Sequence, residues 1–300
     1  TVSGADVSMI VVAQNVTYGE NETITVYVDA EGNVTFRIDN NDYGTVNITG
    51  GKAVLNVPLE AGNHTVEAIY NGAPGFNSTS LKANFAVEKA DPIMSIDVQN
   101  IIYGGVEHIR VHVNAEGDVT IRVIGTGIVE TISLENGEKD IILRAGPSDS
   151  YEGNATLNIY NIRGGRYPVE VTYNGNGNYN KLTASTEFEV YKADTSMYVE
   201  AEPYIDAGED QTINITLSSV KATGWVYVYL AGRVSPRPVF DGLANYTTPL
   251  LESGKYQYVI IYEGDENFNP YIARGTFEVG DAPSLKDVSI DLDVEPYLYA

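Results

Sequence analysis

One octet returns three times in this chain: a Tyr, a Gly two residues on, then an aromatic-Asn pair. It reads Tyr70-Asn-Gly-Ala-Pro-Gly-Phe76-Asn77, Tyr173-Asn-Gly-Asn-Gly-Asn-Tyr179-Asn180 and Tyr262-Glu-Gly-Asp-Glu-Asn-Phe268-Asn269. Each copy is followed at the same distance by Phe-x-Val: Phe85/Val87, Phe188/Val190 and Phe277/Val279. The tyrosines lie 103 and 89 residues apart, the size of a small β-sandwich. Self-similarity at such a period means that one unit is built several times over, and the unit here reads as a strand, a Gly/Asn/Asp turn and a return strand.

Three joints divide the repeats: Glu88-Lys-Ala-Asp91, Tyr191-Lys-Ala-Asp194 and Val279-Gly-Asp-Ala-Pro283. They predict modules at about 1–90, 91–193 and 194–281. Within these, apolar residues alternate with polar ones, as in Ile24-Thr-Val-Tyr-Val28 and Val34-Thr-Phe-Arg-Ile38, and Val, Ile, Thr and Tyr dominate the runs. The expected fold is all-β, with tandem sandwich modules and short linkers forming an extended, semi-rigid rod. Module 2 carries about 18 extra residues, an inserted loop or hairpin at about 125–153. Residues 282–300 read as a linker and the first strand of a truncated fourth module, since Glu295-Pro-Tyr-Leu-Tyr-Ala300 echoes Glu202-Pro-Tyr-Ile-Asp-Ala207.

The Tyr-x-Gly-Asp-x-Asn-aromatic turn (closest at Tyr262 to Phe268), the Phe-x-Val strand and the Lys-Ala-Asp joint resemble the group 3 Ig-like repeats of bacterial and archaeal surface proteins. The likeness is greatest to the adhesin-like proteins of methanogens. The resemblance spans all three modules. It implies a seven-stranded Ig-like sandwich displayed outside the cell, at the surface or wall, for attachment or as a stalk. It carries no catalytic residues. Module 3 departs from the joint pattern, with Gly280-Asp281-Ala282 in place of Lys-Ala-Asp.

Composition narrows the partners. Asp and Glu total 41 against 18 Lys and Arg, a net charge of −23, so nucleic acid and anionic membranes would be repelled. No apolar run reaches the roughly 18 residues of a membrane helix. Without Cys there is no disulfide, thiolate site or thiol nucleophile. Two of the three histidines, His108 and His112, lie on one strand; four positions at about 3.3 Å each leave them ~13 Å apart, too far to share a metal. Asp39-Asn-Asn-Asp-Tyr-Gly44 lacks the spacing of a calcium loop and reads as a turn. No cofactor or metal is expected, apart from calcium at the joints through Asp91 or Asp194, and no enzyme activity.

Nine Asn-x-Thr triplets begin at Asn15, Asn21, Asn33, Asn47, Asn63, Asn77, Asn154, Asn214 and Asn245. They read either as glycosylation acceptors on an exposed rod or as a by-product of strand alternation.

The sharpest signal is a substitution between repeats. Alignment of Gly32-Asn-Val34, Gly117-Asp-Val119 and Gly224-Trp-Val226 keeps the inward residues apolar in all three. The outward ones change from Asn33, Thr35 and Arg37, and Asp118, Thr120 and Arg122, to Trp225, Tyr227 and Tyr229. On the neighbouring strand, Glu67 and Ile69 give way to Val259 and Ile261. Module 3 should therefore present an aromatic and aliphatic sheet face, suited to stacking on a glycan or wall polymer or gripping a host or neighbouring cell. The alternative is that this face is covered by Ser235-Pro-Arg-Pro-Val-Phe240 or by module 2. An adhesin-like segment and a passive spacer both fit the sequence; the two odd modules, the second with its insertion and the third with its aromatic face, favour the adhesin and are its candidate contacts.

Overall fold

Strands account for all the regular structure in the computed structural model, which describes residues 4–136 and 153–280. The tail from 281 and most of the extra residues of module 2 lie outside the described residues. The first run of strands comprises β1 (Met9–Val12), β2 (Val16–Thr17), β3 (Asn21–Val28), β4 (Asn33–Ile38), β5 (Asn41–Asn47), β6 (Lys52–Pro58), β7 (Gly62–Tyr70) and β8 (Thr79–Glu88). The second comprises β9 (Met94–Asp97), β10 (Ile101–Ile102), β11 (Glu107–Val113), β12 (Asp118–Val123), β13 (Ile128–Ser133), β14 (Glu135–Asn136), β15 (Gly153–Ile159), β16 (Gly165–Tyr173) and β17 (Leu182–Tyr191). The third comprises β18 (Met197–Glu200), β19 (Tyr204–Asp206), β20 (Thr212–Leu217), β21 (Trp225–Leu230), β22 (Arg233–Pro238), β23 (Leu243–Thr247), β24 (Gly254–Tyr262) and β25 (Tyr271–Gly280).

Each run forms two sheets with the same topology. The first has β1-β3-β6 and β2-β8-β7-β4-β5, and the third has β18-β20-β23 and β19-β25-β24-β21-β22. The second has β10-β17-β16-β12-β13 and a four-stranded partner, β14-β15-β11-β9. The first strand of each sandwich is split between its two sheets: β1 pairs antiparallel with β3, and β2 pairs parallel with β8. Counted once, the split strand brings the first sandwich to seven. Extra residues of the second sandwich enter after β13, where β14 adds a two-residue edge to β15.

The chain divides into two compact units. One contains residues 1–100, 106–160 and 166–188; the other contains 101–105, 161–165 and 189–300.

Period-two patterning produces each core. Val34, Phe36 and Ile38 are buried, as are Val119, Ile121, Val123, Val226, Val228 and Leu230, while their neighbours along the strand face outward. The predicted register is therefore the observed one. A side chain the size of Phe36 contributes about 2–3 kcal/mol when fully buried. The Asp39-Asn40 stretch is a two-residue hairpin turn with φ of 52° and 69°, the left-handed pair a tight antiparallel reversal requires.

The octet tyrosines occupy the same place in each sandwich. Tyr70, Tyr173 and Tyr262 end β7, β16 and β24 with no exposed surface. Tyr70 donates its hydroxyl to the Glu31 carbonyl at 2.7 Å, and Tyr173 donates to the Glu116 carbonyl at 2.6 Å. Each ring lies on the glycine that follows: a Cβ on Gly32 would sit 3.1 Å from Tyr70 Cε2, and one on Gly117 3.2 Å from Tyr173 Cε2. Both glycines also have φ near 130°, closed to other residues. The recurring Ala-Glu-Gly-Asn/Asp-Val is thus the floor on which the tyrosine packs. Tyr70→Phe should lower the stability of the first sandwich by about 1 kcal/mol, and Gly32→Ala by more, in urea unfolding followed by circular dichroism. Unchanged midpoints would show that the tyrosine corner is not a stabilising element.

Candidate ligand-binding face and glycosylation sites

Strand β21 sits between β22 and β24, so its outward residues meet apolar neighbours on both sides. Trp225 lies opposite Pro238, Tyr227 opposite Pro236 and Tyr229 opposite Val234. On the other flank Tyr227 faces Ile261 and Tyr229 faces Val259, and Ile261 in turn faces Ile272 of β25. Trp225 is 48% exposed, Tyr229 40%, Val234 50% and Ile272 47%, with Tyr227, Val259 and Ile261 half-buried among them. Alternate strand residues are about 6.7 Å apart, so the three aromatics form a row ~13 Å long.

The proline-rich stretch does not cover this face. Ser235 to Pro238 form part of β22, an edge strand whose Pro236 and Pro238 extend the apolar surface by two positions. Prolines interrupt most strands, which is why the stretch reads in sequence as a cover and not as part of the sheet. On an edge the missing N–H points to solvent and costs no ladder bond. Two such residues also remove the donors through which another strand could pair with this edge.

The equivalent faces of the siblings are polar ladders. Thr35 and Thr45 hydroxyls hydrogen-bond at 2.7 Å, and Asn71 Nδ2 donates to Asn33 Oδ1 and Thr35 Oγ1. In the second sandwich Thr120 bonds Thr131, Thr172 bonds Thr183, and Ser133 donates to Asp118. Polar cross-strand pairs there occupy the positions that carry aromatics in the third.

The aromatic-Asn pair and the joints, read separately in the sequence, are partners in space. Ala90 N–H donates to Asn178 O and Ala90 O accepts from Asn180 N–H, both at 2.9 Å, while Asn180 Nδ2 donates to Asp91 Oδ1 at 2.8 Å. Ala193 makes the same pair of bonds with Asn267 and Asn269, and Asn269 Nδ2 donates to Asp194 Oδ1 at 2.9 Å. Gly4-Ala5-Asp6 is a third copy, clamped to Gly75 and Asn77. Each Lys-Ala-Asp thus belongs to the turn that follows it in the chain. The signal was available: wherever the described turn ends in aromatic-Asn, an Ala-Asp precedes its sandwich. Asp91 and Asp194, considered for calcium, accept from these asparagines, and no three His, Asp or Glu are grouped so as to hold a metal ion among the described residues.

Within each unit one such turn also reaches an earlier loop. In the first unit Ala61 N–H donates to Asn178 Oδ1 at 2.9 Å, and Tyr18 meets Tyr179 edge-on at 5.4 Å. In the second, Gly164 N–H donates to Asn267 Oδ1 at 3.0 Å, and Tyr103 meets Phe268 edge-on at the same 5.4 Å.

The histidines do not converge. His108 and His112 each bond an asparagine across the strand pair, Asn158 at 2.6 Å and Asn154. His64 lies between two acceptors, Asp39 Oδ2 at 2.7 Å and the Glu60 carbonyl at 2.9 Å, so both ring nitrogens must donate. Burial lowers its pKa, but the bonds to Asp39 and Glu60 and the Asp39 charge outweigh this and raise it above 6.5.

Of the nine triplet asparagines, Asn15, Asn21, Asn47, Asn63, Asn214 and Asn245 are exposed and Asn33, Asn77 and Asn154 half-buried. Asn77 is distinct: its Nδ2, the atom a glycan would take, donates to Gly4 O at 2.7 Å and to Asp6 Oδ1. Its counterparts Asn180 and Asn269 do the same work outside any triplet. Asn214 and Asn245 face each other across β20 and β23.

Residues 9–88 match the bacterial Ig-like domain (group 3). No curated protein matches the sequence. Among solved structures, a tetra-tandem repeat from the extending region of a large adhesion protein is 17% identical, with 91% of this chain and 74% of that one covered, at a TM-score of 0.45. The ICAM-5 D1-D4 ectodomain fragment is 11% identical, covering 91% and 77%, at 0.36. The Bacteroides ovatus mixed-linkage glucan utilization protein SGBP-B, solved with a heptasaccharide, is 16% identical, covering 89% of this chain and 65% of its own, at 0.23. The matched segment is the first sandwich, and its strand order recurs in the other two. No helix among the described residues is long and apolar enough to cross a membrane.

A charged His64 contributes stability that is complete below pH ~6.5 and is lost as pH rises through its raised pKa. An NMR titration of the ring should show a midpoint above 6.5, and one below it would remove the assignment. Glycopeptide mapping of the natively produced protein should find Asn77 bare, and Asn77→Ala should cost about 1 kcal/mol. A glycan on Asn77 would mean the clamp opens before or after folding.

Proposed function

We propose that this chain is an adhesin-like segment of a cell-surface protein, and that the outer face of the β19-β25-β24-β21-β22 sheet is where it attaches. The observation that carries this is the outward row Trp225, Tyr227 and Tyr229, bordered by Val234, Pro236, Val259, Ile261 and Ile272, where the siblings place asparagine or aspartate, threonine and arginine along the row. A solvent-facing patch of this kind on one repeat of three marks an interaction site. The row is flat, because it lies on a sheet, and uncharged along its length, with Arg274, opposite Val259, at its border. A neutral glycan or wall polymer suits it, since sugar rings stack on aromatic faces while Trp and Tyr tips supply hydrogen bonds. A polyanion would meet a chain of net charge −23. The segment works outside the cell, with exposed triplets such as Asn21, Asn47 and Asn63 as glycan acceptors and at most one of the opposed Asn214 and Asn245 occupied.

The repeated turn-to-loop contacts favour a second reading, a spacer that holds a distal domain away from the surface. The two are separated by binding of the 300-residue chain to immobilised neutral glycans and whole cells. The wild type should bind, and Trp225→Ala with Tyr227→Ala, still folded by circular dichroism, should lose binding by at least tenfold. A chain that binds nothing, or a double variant that binds as well, would leave the spacer as the function.

A further inference from the structure

Each sandwich buries one long polar side chain at the same place, where the second full strand begins. These are Glu22 in β3, Glu107 in β11 and Gln211 immediately before β20, exposed by 1%, 0% and 1%. Each faces the short crossover at which the split first strand leaves one sheet for the other. Glu22 Oε1 accepts the N–H of Gln14 at 3.1 Å, Glu107 Oε1 accepts that of Gln99 at 3.0 Å, and Gln211 Oε1 accepts that of Glu202 at 3.3 Å. Gln211 completes a second bond, donating Nε2–H to the carbonyl of the same Glu202 at 2.5 Å. In the siblings the second atom is an oxygen, and Glu22 Oε2 and Glu107 Oε2 are buried with no donor to receive.

We propose that Glu22 and Glu107 are neutral carboxylic acids in the folded protein, each donating its Oε2 proton to the crossover carbonyl of Gln14 or Gln99 as Gln211 donates to Glu202. The first two sandwiches then hold the crossover with a latch that opens on deprotonation, while the amide of the third holds it at any pH. An ionised carboxylate would leave Oε2 charged and without a donor in a site closed to water, where an unpartnered charge is costly. A protonated acid has the donor and acceptor pattern of a primary amide, so it restores both bonds.

The surroundings agree. Burial raises the pKa of both acids, against a single backbone N–H that lowers each. Among the described residues no charged side chain acts on Glu22; on Glu107, His108 and Arg110 of its own strand and Asp97 of β9 act in opposite directions. A carboxyl with a raised folded pKa contributes stability that is complete below its unfolded value, about 4.3, and is lost as pH rises through the folded value.

The test compares the chain with its Glu22→Gln/Glu107→Gln variant. At pH 7.5 the variant should melt several degrees higher, and the difference should vanish as pH falls towards 4.5. Deuterium exchange at the amides of Gln14 and Gln99 should slow in the variant at pH 7.5 and match wild type at low pH. A variant that is less stable at pH 7.5, or a difference independent of pH, would overturn the proposal. Should the variant fail to fold, carbon-13 titration of the side-chain carboxyls of Glu22 and Glu107 in the unmodified chain decides: midpoints above the ordinary value of about 4.3 support it, and midpoints at or below that value sink it.

Discussion

The structure turns on one buried phenol per sandwich. A tyrosine wholly buried at the end of a central strand is stabilised when its hydroxyl finds a partner, and at Tyr70 and Tyr173 that partner is a main-chain carbonyl in the turn before the facing strand. The bond holds the turn against the ring, and the ring allows only glycine at the next position. In the third sandwich the chemistry shifts: Tyr262 lies beside Asp265, and burial together with that carboxylate drives the phenol pKa upward. Asp265 is held ionised despite its own burial by N–H groups of Thr223, Asn267 and Phe268 and by the Thr223 hydroxyl. The turn that follows the tyrosine is thereby organised from within, and it is this turn that receives the Ala-Asp segment leading into the sandwich.

That arrangement ties connection to fold. The Ala-Asp segment adds a pair of main-chain bonds to the turn, and the asparagine side chain closes the ring through its aspartate. A linker held in this way loses freedom as its sandwich forms, so ordering of the joint and formation of the sandwich are coupled. The edge-on aromatic contacts at Tyr18 and Tyr103 use the aromatic of the same octet. One short motif therefore serves the core, the turn and the joint, which accounts for its recurrence when most of the surface differs between copies.

With cores and joints repeated, variation collects on the outward strand faces. The same backbone position carries a threonine ladder in two sandwiches and an aromatic row in the third, at no cost to the core because alternate residues point away from it. Exposure of that row is tolerated because the adjoining edge carries prolines, which deny a second chain the backbone donors needed to extend the sheet.

The sequence alone determined the all-β fold, the in-and-out register and the odd face of the third sandwich, because strand alternation has a period of two and buried apolar positions announce themselves residue by residue. Val226, Val228 and Leu230 could be assigned inward, and Trp225, Tyr227 and Tyr229 outward, with no coordinates. Tertiary structure decided what pairs across long separations. That Ser235 to Pro238 would form an edge strand depended on which side of β21 remained free, a property of sheet order and not of the stretch itself. The bond between Asn180 and Asp91 joins residues 89 apart, and Asn77, one of nine equivalent triplets on paper, proved to have its amide committed to Gly4 and Asp6. Glu22, Glu107 and Gln211 look like ordinary polar residues at strand starts. Only the crossover folded over them, offering each a main-chain N–H and closing out water, makes the protonation of the two glutamates a structural matter.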